Sequence, residues 1–385
     1  MKYQFMIPEK NYFGENALLL AEEAVKNLGK KALIVTGKVV TKTGLVKRLT
    51  DVLDAWKVEY VVFNNILAEP TDEMIEAGVK IYEQENCDFL IGIGGGSPLD
   101  SAKAIAVATT LKQDFAELMG KNIIGDFPKT VMIPTTAGTG SEATKFFVVT
   151  DTKTDVKMLL AGDAIIPNIA IVDPTFTKTA PPSVTAATGM DALTHAIESF
   201  TSRKGNPLTD MYAKSAIKRI FDYLPTAWKD GSDQRAREEM AIAAYEAGVC
   251  INNASVTLVH GMSRPIGALF HVPHGISNAM LITECLSFAA DGCYEKFAQL
   301  GKLIGAADDS DGDKKAAESF LKALEQLCRE IEIPSLKEYG IDMEAFAKAI
   351  PKMSEDALAS GSPANTIKEV TKENIIEIYK HLQIS

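Results

Sequence analysis

The chain of 385 residues is long enough for two domains of ordinary size, and its 46% hydrophobic and 24% charged content is that of a soluble globular protein. Forty Lys and Arg against 51 Asp and Glu give a net charge of -11 with no basic block, which argues against nucleic acids and anionic membranes as partners. No apolar run approaches the ~20 residues of a membrane span, and MKYQFMIPEKNYFG lacks the apolar stretch of a signal peptide. The five cysteines form no CxxC pair and read as reduced thiols, so a cytoplasmic location is expected.

KALIVTG (31–37) predicts a buried strand, followed by a helix from about Leu45 to Ala55. VEYVVFN (58–64) is the next strand. Pro70, Thr71 and Asp72 then open a helix ending near Glu85, with proline and an acidic residue where a first turn favours them. DFLIGIGGGS (88–97) predicts a strand running into a turn, and PLDSAKAIAVAT continues as helix. TVMIPTTAGTGSE (130–142) reads as strand and loop, with further strands at Phe146 to Thr150 and Ile169 to Val172. This alternation predicts an α/β domain, a mostly parallel sheet with helices on both faces.

After Pro181 and Pro182 the strand signals stop. Helical periodicity then runs to the end, interrupted near Gly205, Gly231, Ser310 to Gly312, Pro334 and Pro363. The expected domains are therefore an α/β dinucleotide-binding domain over 1–180 and an all-helical, metal-binding catalytic domain over 181–385. DDSDGDKK (308–315) reads as a solvated loop, since no Glu closes an EF-hand pattern there.

Gly92-Ile-Gly94-Gly95-Gly96-Ser97 lies between a strand and a helix. Glycines let the backbone approach a phosphate, and the helix N-terminus points amide donors at it. The segment is not the GxGxxG fingerprint, because position 97 is Ser; a plain strand–helix turn is the other reading.

Thr188 to Phe200 places Asp191 and His195 four residues apart, on one face of a helix. HGMSRPIGALFHVPHG holds His260, His271 and His274. Asp191, His195 and two or three of these make an oxygen and nitrogen set suited to a divalent transition metal. The other reading is a pair of helical core residues and a polar loop. Cys250 lies near in sequence, but a small apolar core residue is the simpler assignment.

GMDALTHAIE followed by HGMSRPIGALFHVPHG resembles the metal-binding signatures of the iron-dependent (group III) alcohol dehydrogenases. With GGGSPLDSAK, the resemblance runs from about Phe13 to about Pro363. It implies the dehydroquinate synthase-like fold, with Asp191, His195, His260 and His274 as ligands to Fe²⁺ or Zn²⁺. It implies NAD(P)H as cofactor, its pyrophosphate held at Gly94, Gly95, Gly96, Ser97 and Asp100 in a segment that continues to Lys103. Thr135, Thr136, Gly138, Thr139 and Ser141 match the loop along the same cofactor, and Lys157 is assigned to it as well. At the end of the first strand many members carry an Asp where this chain has Gly37. Gly37 with Lys38 removes a repulsion of the 2′-phosphate of NADP(H).

The implied reaction is hydride transfer between NAD(P) and a small primary alcohol or diol, the metal acting as Lewis acid. His271 is the candidate proton relay, and Lys145, Phe146, Ile251 and Arg264 are candidates for the substrate pocket. Two positions depart from the family pattern: Arg264 replaces a second histidine, and Ser362-Pro363-Ala364 replaces Asn-Pro-Arg. Both bear on the substrate, and an aldehyde with an anionic tail, of the succinic semialdehyde or sulfoacetaldehyde type, is the first alternative. A pairing of Arg264 with a protein carboxylate is the simpler expectation for that residue. A glycerol-dehydrogenase-like zinc enzyme, a cofactor-free metal hydrolase or lyase and a non-catalytic nucleotide-binding protein are further alternatives. A homodimer or higher homo-oligomer is expected.

Overall fold

The computed structural model describes residues 2–67 and 69–384. Eight strands are formed: β1 (Lys10–Phe13), β2 (Lys31–Val35), β3 (Glu59–Phe63), β4 (Phe89–Gly94), β5 (Thr130–Pro134), β6 (Phe146–Asp151), β7 (Val156–Ala161) and β8 (Ile169–Val172). Six make one sheet in the order β1-β8-β5-β4-β2-β3, every neighbouring pair parallel. β4 and β5 are buried along their whole length, as their unbroken apolar runs require. Side chains alternate between the faces of a strand, and the two hydrophobic cores separate accordingly. Leu33, Val35, Leu90 and Met132 belong to one core, and Ala32, Ile34, Phe89, Ile91 and Ile133 to the other.

The chain steps from β2 to β3 on one side of β2, then crosses back to β4 on the other. That reversal makes the carboxyl ends of β2 and β4 the switch point of the sheet, where open α/β sheets bind ligands. The long helices after β2, β3 and β4 are α1 (Leu45–Trp56), α2 (Asp72–Gln84) and α3 (Gly96–Leu111). Thr71 caps α2, its hydroxyl accepting from the Met74 amide.

Two strands go beyond the sequence-based expectation. β1 is four residues long and its outer residues are exposed, so it carries little apolar signal. β7 pairs antiparallel with β6 in a separate two-stranded sheet. The segment Phe146 to Thr150, expected to add to the parallel sheet, belongs to that hairpin.

The chain divides into two units, Met6–Ala180 and Pro181–Ser385 with Met1–Phe5. Phe5 stacks on Tyr212 at 5.9 Å between ring centroids, which explains why the first residues group with the helical unit. In that unit the relevant helices are α4 (Pro182–Phe200), α5 (Pro207–Lys229), α6 (Gln234–Asn253), α7 (Leu258–Phe270), α8 (His274–Ala290) and α9 (Met343–Ala359). α4 is the central one. Pro182 sits in its first turn, where proline's missing N–H costs nothing. From Met190 to Phe200 every residue is buried, with α5, α6 and α8 packed around it. Among the described residues, no helix is long and apolar enough to cross a membrane.

Candidate metal and cofactor sites

A helix that is buried all round has no face on which a charged side chain meets water, yet α4 carries Asp191, His195 and Glu198. Their spacing puts all three on one stripe, and α7 and α8 bring His260 and His274 to it. The Nε2 atoms of His195, His260 and His274 lie 3.8, 3.8 and 3.7 Å from Asp191 Oδ1. The four ligand atoms all fall within 4.8 Å of one another. Asp191, His195 and His260 are buried, whereas the His274 side chain is 46% exposed, so the cluster opens on the His274 side.

These separations are too long for hydrogen bonds. They are close to what four ligands at roughly 2.0–2.2 Å from a tetrahedral cation would show after slight contraction. Three ring nitrogens and a carboxylate oxygen turned toward one point are four acceptors reached by a single donor, the Asn278 amide, and a cation satisfies such a set. The residues present therefore fit a divalent metal.

Glu198 fixes one of the rings. It accepts from Thr257 Oγ1 at 2.8 Å, the Val259 amide at 2.6 Å and His260 Nδ1 at 2.6 Å. With Nδ1–H committed to Glu198, the lone pair of His260 resides on Nε2, facing the cluster. Burial, and then the neighbouring His195 and His274, hold His260 well below the usual imidazole range, so the ring is neutral. Burial acts to raise Asp191, but the three histidines outweigh it and leave its carboxyl below the ordinary value.

Asn278, one turn beyond His274 on α8, occupies the middle of the arrangement. Its Nδ2 donates to Asp191 Oδ1 at 2.7 Å and lies 3.2 Å from Nε2 of both His260 and His274. The amide thus presents its positive end to three of the four ligand atoms. Neither Glu198 nor Asn278 was singled out from sequence. The signal was present as helical spacing, Glu198 three residues after His195 and Asn278 four after His274.

Glu198→Gln keeps the shape but removes the charge that polarises His260. Metal affinity is expected to fall about 10- to 100-fold, measured by competition with a chelator. Unchanged affinity would limit Glu198 to holding the turn before α7.

His271 lies outside the cluster. It is the exposed C-cap of α7, in the left-handed region at φ 54°. Cys250 is buried and its thiol points at the Thr209 carbonyl at 3.4 Å, a core position as expected.

In the α/β unit, Gly94 ends β4 at φ 153°, and a Cβ there would meet the Pro98 ring at 2.6 Å. No other residue type can make this turn. α3 then begins at Gly96, two residues earlier than expected, and Ser97 lies in its first turn. The free amides of a 16-residue helix thus stand at the switch point, an anion site by construction. Thr36 Oγ1 donates to the Ile93 carbonyl and the Thr135 amide to the Gly94 carbonyl, both at 2.8 Å, locking the three strand ends together. Thr136 lies beside Gly95, and Thr139 beside Gly96.

Asp100 and Ser141, expected on the cofactor, hydrogen-bond within the protein. Asp100 accepts from Ser141 Oγ at 2.6 Å and from the Val148 amide at 3.0 Å. The fully buried Lys103 ammonium donates to the carbonyls of Ser141 and Phe146 at 2.6 and 2.8 Å, and to Ser141 Oγ and Thr144 Oγ1 at 2.9 and 3.2 Å. Burial lowers Lys103 to about 8, against the opposing charges of Asp100 and Glu142. Burial raises Glu142 to about 7. These residues build the loop from Thr135 to Ser141.

Lys157 and Lys145 are also committed elsewhere. Lys157, expected on the cofactor, pairs with Glu69 at 2.7 Å on the outer hairpin, and Lys145, expected in the substrate pocket, pairs with Asp163 at 2.9 Å. Phe146 opens β6 and Ile251 lies near the end of α6, both half-buried. Gly37 precedes the exposed Lys38, and a Cβ at Gly37 would meet the Ile66 carbonyl oxygen at 2.8 Å. A side chain there would therefore require the backbone at Ile66 to shift.

Arg264 follows His260 by one turn of α7. It donates to Ser362 Oγ at 3.0 Å, and among the described residues no carboxylate lies within ion-pair distance. The expected carboxylate partner is not there.

Family models match both parts of the chain, "Iron-containing alcohol dehydrogenase" over residues 8–174 and "Fe-containing alcohol dehydrogenase family, C-terminal" over 185–383. The chain belongs to the iron-containing alcohol dehydrogenases. Within this family it is 37% identical to 1,3-propanediol dehydrogenase of Citrobacter freundii over 384 residues, 98% of each chain. It is 36% identical to the NAD-dependent methanol dehydrogenase of Bacillus methanolicus over 380 residues, 98% of this chain and 99% of the other. A solved 1,3-propanediol oxidoreductase superposes with a TM-score of 0.96 at 34% identity, covering 99% of this chain and 100% of that one. As an iron-containing alcohol dehydrogenase the protein is an oxidoreductase acting on CH–OH groups, interconverting an alcohol and its aldehyde. Membership sets aside the cofactor-free hydrolase and the non-catalytic readings.

Proposed function

We propose that this dehydrogenase interconverts a small primary alcohol or diol and its aldehyde. In this reading Asp191, His195, His260 and His274 hold Fe²⁺, and the turn between β4 and α3 holds NAD(H). The convergence of three imidazole nitrogens on Asp191 Oδ1 at 3.7–3.8 Å carries the reading. When bound, the ferrous ion supplies Lewis acidity toward the substrate oxygen, and the nicotinamide supplies the hydride acceptor or donor.

The chain's own contribution is position and charge. Asp191 brings the single anion of the ligand set, and Glu198 aims His260. Burial of three ligands excludes water from all but the His274 side, which is left for the substrate. The α3 amides suit the cofactor's pyrophosphate, and Lys103 keeps the adjoining loop in place. His271, exposed three residues before His274, is assigned the exit of the alcohol's proton to solvent.

Three finer points belong to the same proposal. The donor set also accepts Zn²⁺, and iron is preferred on family membership. The absence of an acidic side chain at Gly37 admits NADP(H) alongside NAD(H). A homodimer in the cytoplasm is the expected state, and the five cysteines, all free thiols, suit a reducing compartment.

The test is anaerobic reconstitution with Fe²⁺ or Zn²⁺, followed by assays of propan-1-ol, butan-1-ol and propane-1,3-diol with NAD⁺ and NADP⁺. Iron-loaded protein is expected to oxidise these alcohols with NAD⁺. Inactivity of every metal and cofactor combination would contradict the reading.

A further inference from the structure

The described arginines divide by what holds them. Arg48, Arg219, Arg235 and Arg329 each pair with a carboxylate. Arg203 is held by the carbonyls of Thr366 and Ile367, and Arg237 by the Gly231 carbonyl and Thr185 Oγ1. Arg264 alone among the described arginines has a single neutral hydroxyl, Ser362 Oγ, as its partner. A guanidinium offers five N–H donors in a fixed fork, so most of its capacity is unspent.

Its position makes that unspent capacity meaningful. Arg264 lies one turn beyond His260 on the same helix, roughly 6 Å along its axis. Burial pulls the guanidinium below its usual value, with Glu198 the opposing charge. A partly buried cation with no described carboxylate within ion-pair distance is costly unless an anion arrives. A divalent ion held by Asp191, with Glu198 behind it and Arg264 beside it, leaves the site net positive. A neutral alcohol does not compensate that charge. An oxyanion does, and an arginine fork fits a planar or tripodal one through two or more bonds.

We propose that Arg264, with Ser362 holding its guanidinium, forms an anion subsite that selects short aldehydes ending in a carboxylate or sulfonate. A spacer of about one to three carbons between carbonyl and anion suits a cation one helical turn from the metal ligand, given the reach of the side chain. The reaction is unchanged. A hydride from NAD(P)H forms the new C–H bond at the carbonyl carbon, the carbonyl oxygen takes up a proton, and the anionic tail leaves as it entered. The inference rests on the alcohol–aldehyde reading above and names its substrate class.

Matched pairs test it: butanal against 4-oxobutanoate, and propanal against sulfoacetaldehyde. Each pair is assayed with iron-loaded wild type, Arg264→Met and Arg264→Lys, with kcat and KM determined separately and bound iron measured. Binding of ethanesulfonate to the same proteins by calorimetry gives a readout independent of turnover. Wild type is expected to favour each anionic member by at least about 10-fold in kcat/KM, the scale of a charged hydrogen bond. Arg264→Met should erase about 10- to 100-fold of that ratio, chiefly through aldehyde KM, and Arg264→Lys should restore part of it. Ethanesulfonate should bind wild type and not Arg264→Met at equal iron content. Equal efficiency within each wild-type pair, an equal drop for both members in Arg264→Met, or a rise in cofactor KM alone would overturn the proposal. If no aldehyde of either class is reduced, the catalytic reading fails. Calorimetry then still decides the subsite, absence of ethanesulfonate binding refuting it.

Discussion

His260→Ala is expected to leave the iron-reconstituted protein with little bound metal and no measurable alcohol oxidation. His260 contributes more than one ligand atom. Its Nδ1 is the group through which Glu198, together with Thr257 and the Val259 amide, holds α7 against α4. Removing an outer partner of a metal ligand costs about 10- to 100-fold in affinity, so removing the ligand itself should exceed 100-fold. The fold should persist, because Glu198 keeps its bonds from Thr257 and Val259. NADH binding should also persist, since Gly94 to Ser97 belong to the other unit. Iron content after anaerobic loading and gel filtration, with NADH fluorescence on the same sample, separates these outcomes. Iron at the wild-type level would remove His260 from the ligand set.

Lys103→Met should produce the second large effect, on stability. The ammonium shares its three N–H donors among two backbone carbonyls and two hydroxyls, and it feels the buried carboxylates Asp100 and Glu142. Methionine fills much of the volume but leaves Asp100 buried without its cation. Loss of one partner of a buried pair typically costs about 3–5 kcal/mol, and a value toward the lower end is expected because burial of the ammonium is itself unfavourable. The loop from Thr135 to Ser141 loses its anchor, so NADH affinity should fall as well. Urea unfolding of the variant, read against wild type, checks the first effect, and fluorescence titration checks the second. Wild-type stability would mean that the ammonium's burial cost cancels its bonds.

The same network has a pH dependence whose sign is fixed. Glu142 is raised in the folded state from 4.5 to about 7, so the folded protein holds a proton that the unfolded chain releases. That contribution is complete below the ordinary carboxyl value and is lost as pH rises through about 7. Wild-type stability should therefore decline between about pH 5 and 7 from this group. Glu142→Gln should flatten that part of the curve and be more stable than wild type at pH 8. Parallel unfolding curves for the two proteins across this range would show that Glu142 titrates normally.

Much of this organisation is visible in the sequence, for physical reasons that differ from element to element. The strands at 31–35, 89–94 and 130–134 carry unbroken apolar runs after their first residues because both of their faces are covered. Val156 to Ala161 alternates exposed and buried residues at the rim and gives a weaker signal, so its pairing with 146–151, and the separate sheet they form, escaped notice. Asp191 and His195 were legible because one helix turn places them together. The part played by Glu198 depends on α7 folding back across 62 residues to present His260, and local spacing does not report that. Asp100, Ser141, Lys145 and Lys157 each have a protein partner that the motif does not report. A residue that shapes a ligand loop and one that touches the ligand occupy the same motif, and only tertiary contacts distinguish them. Arg264 was legible as a departure from the pattern, while its lack of a carboxylate partner required the structure.

The most direct test of the account is iron-edge anomalous diffraction from crystals of the protein loaded with Fe²⁺ under anaerobic conditions. The account predicts one strong peak per chain, among Asp191 Oδ1 and the Nε2 atoms of His195, His260 and His274, within about 2.3 Å of each. A peak centred elsewhere, on His271 or Cys250 for instance, or no peak from protein that turns over alcohol, would contradict it.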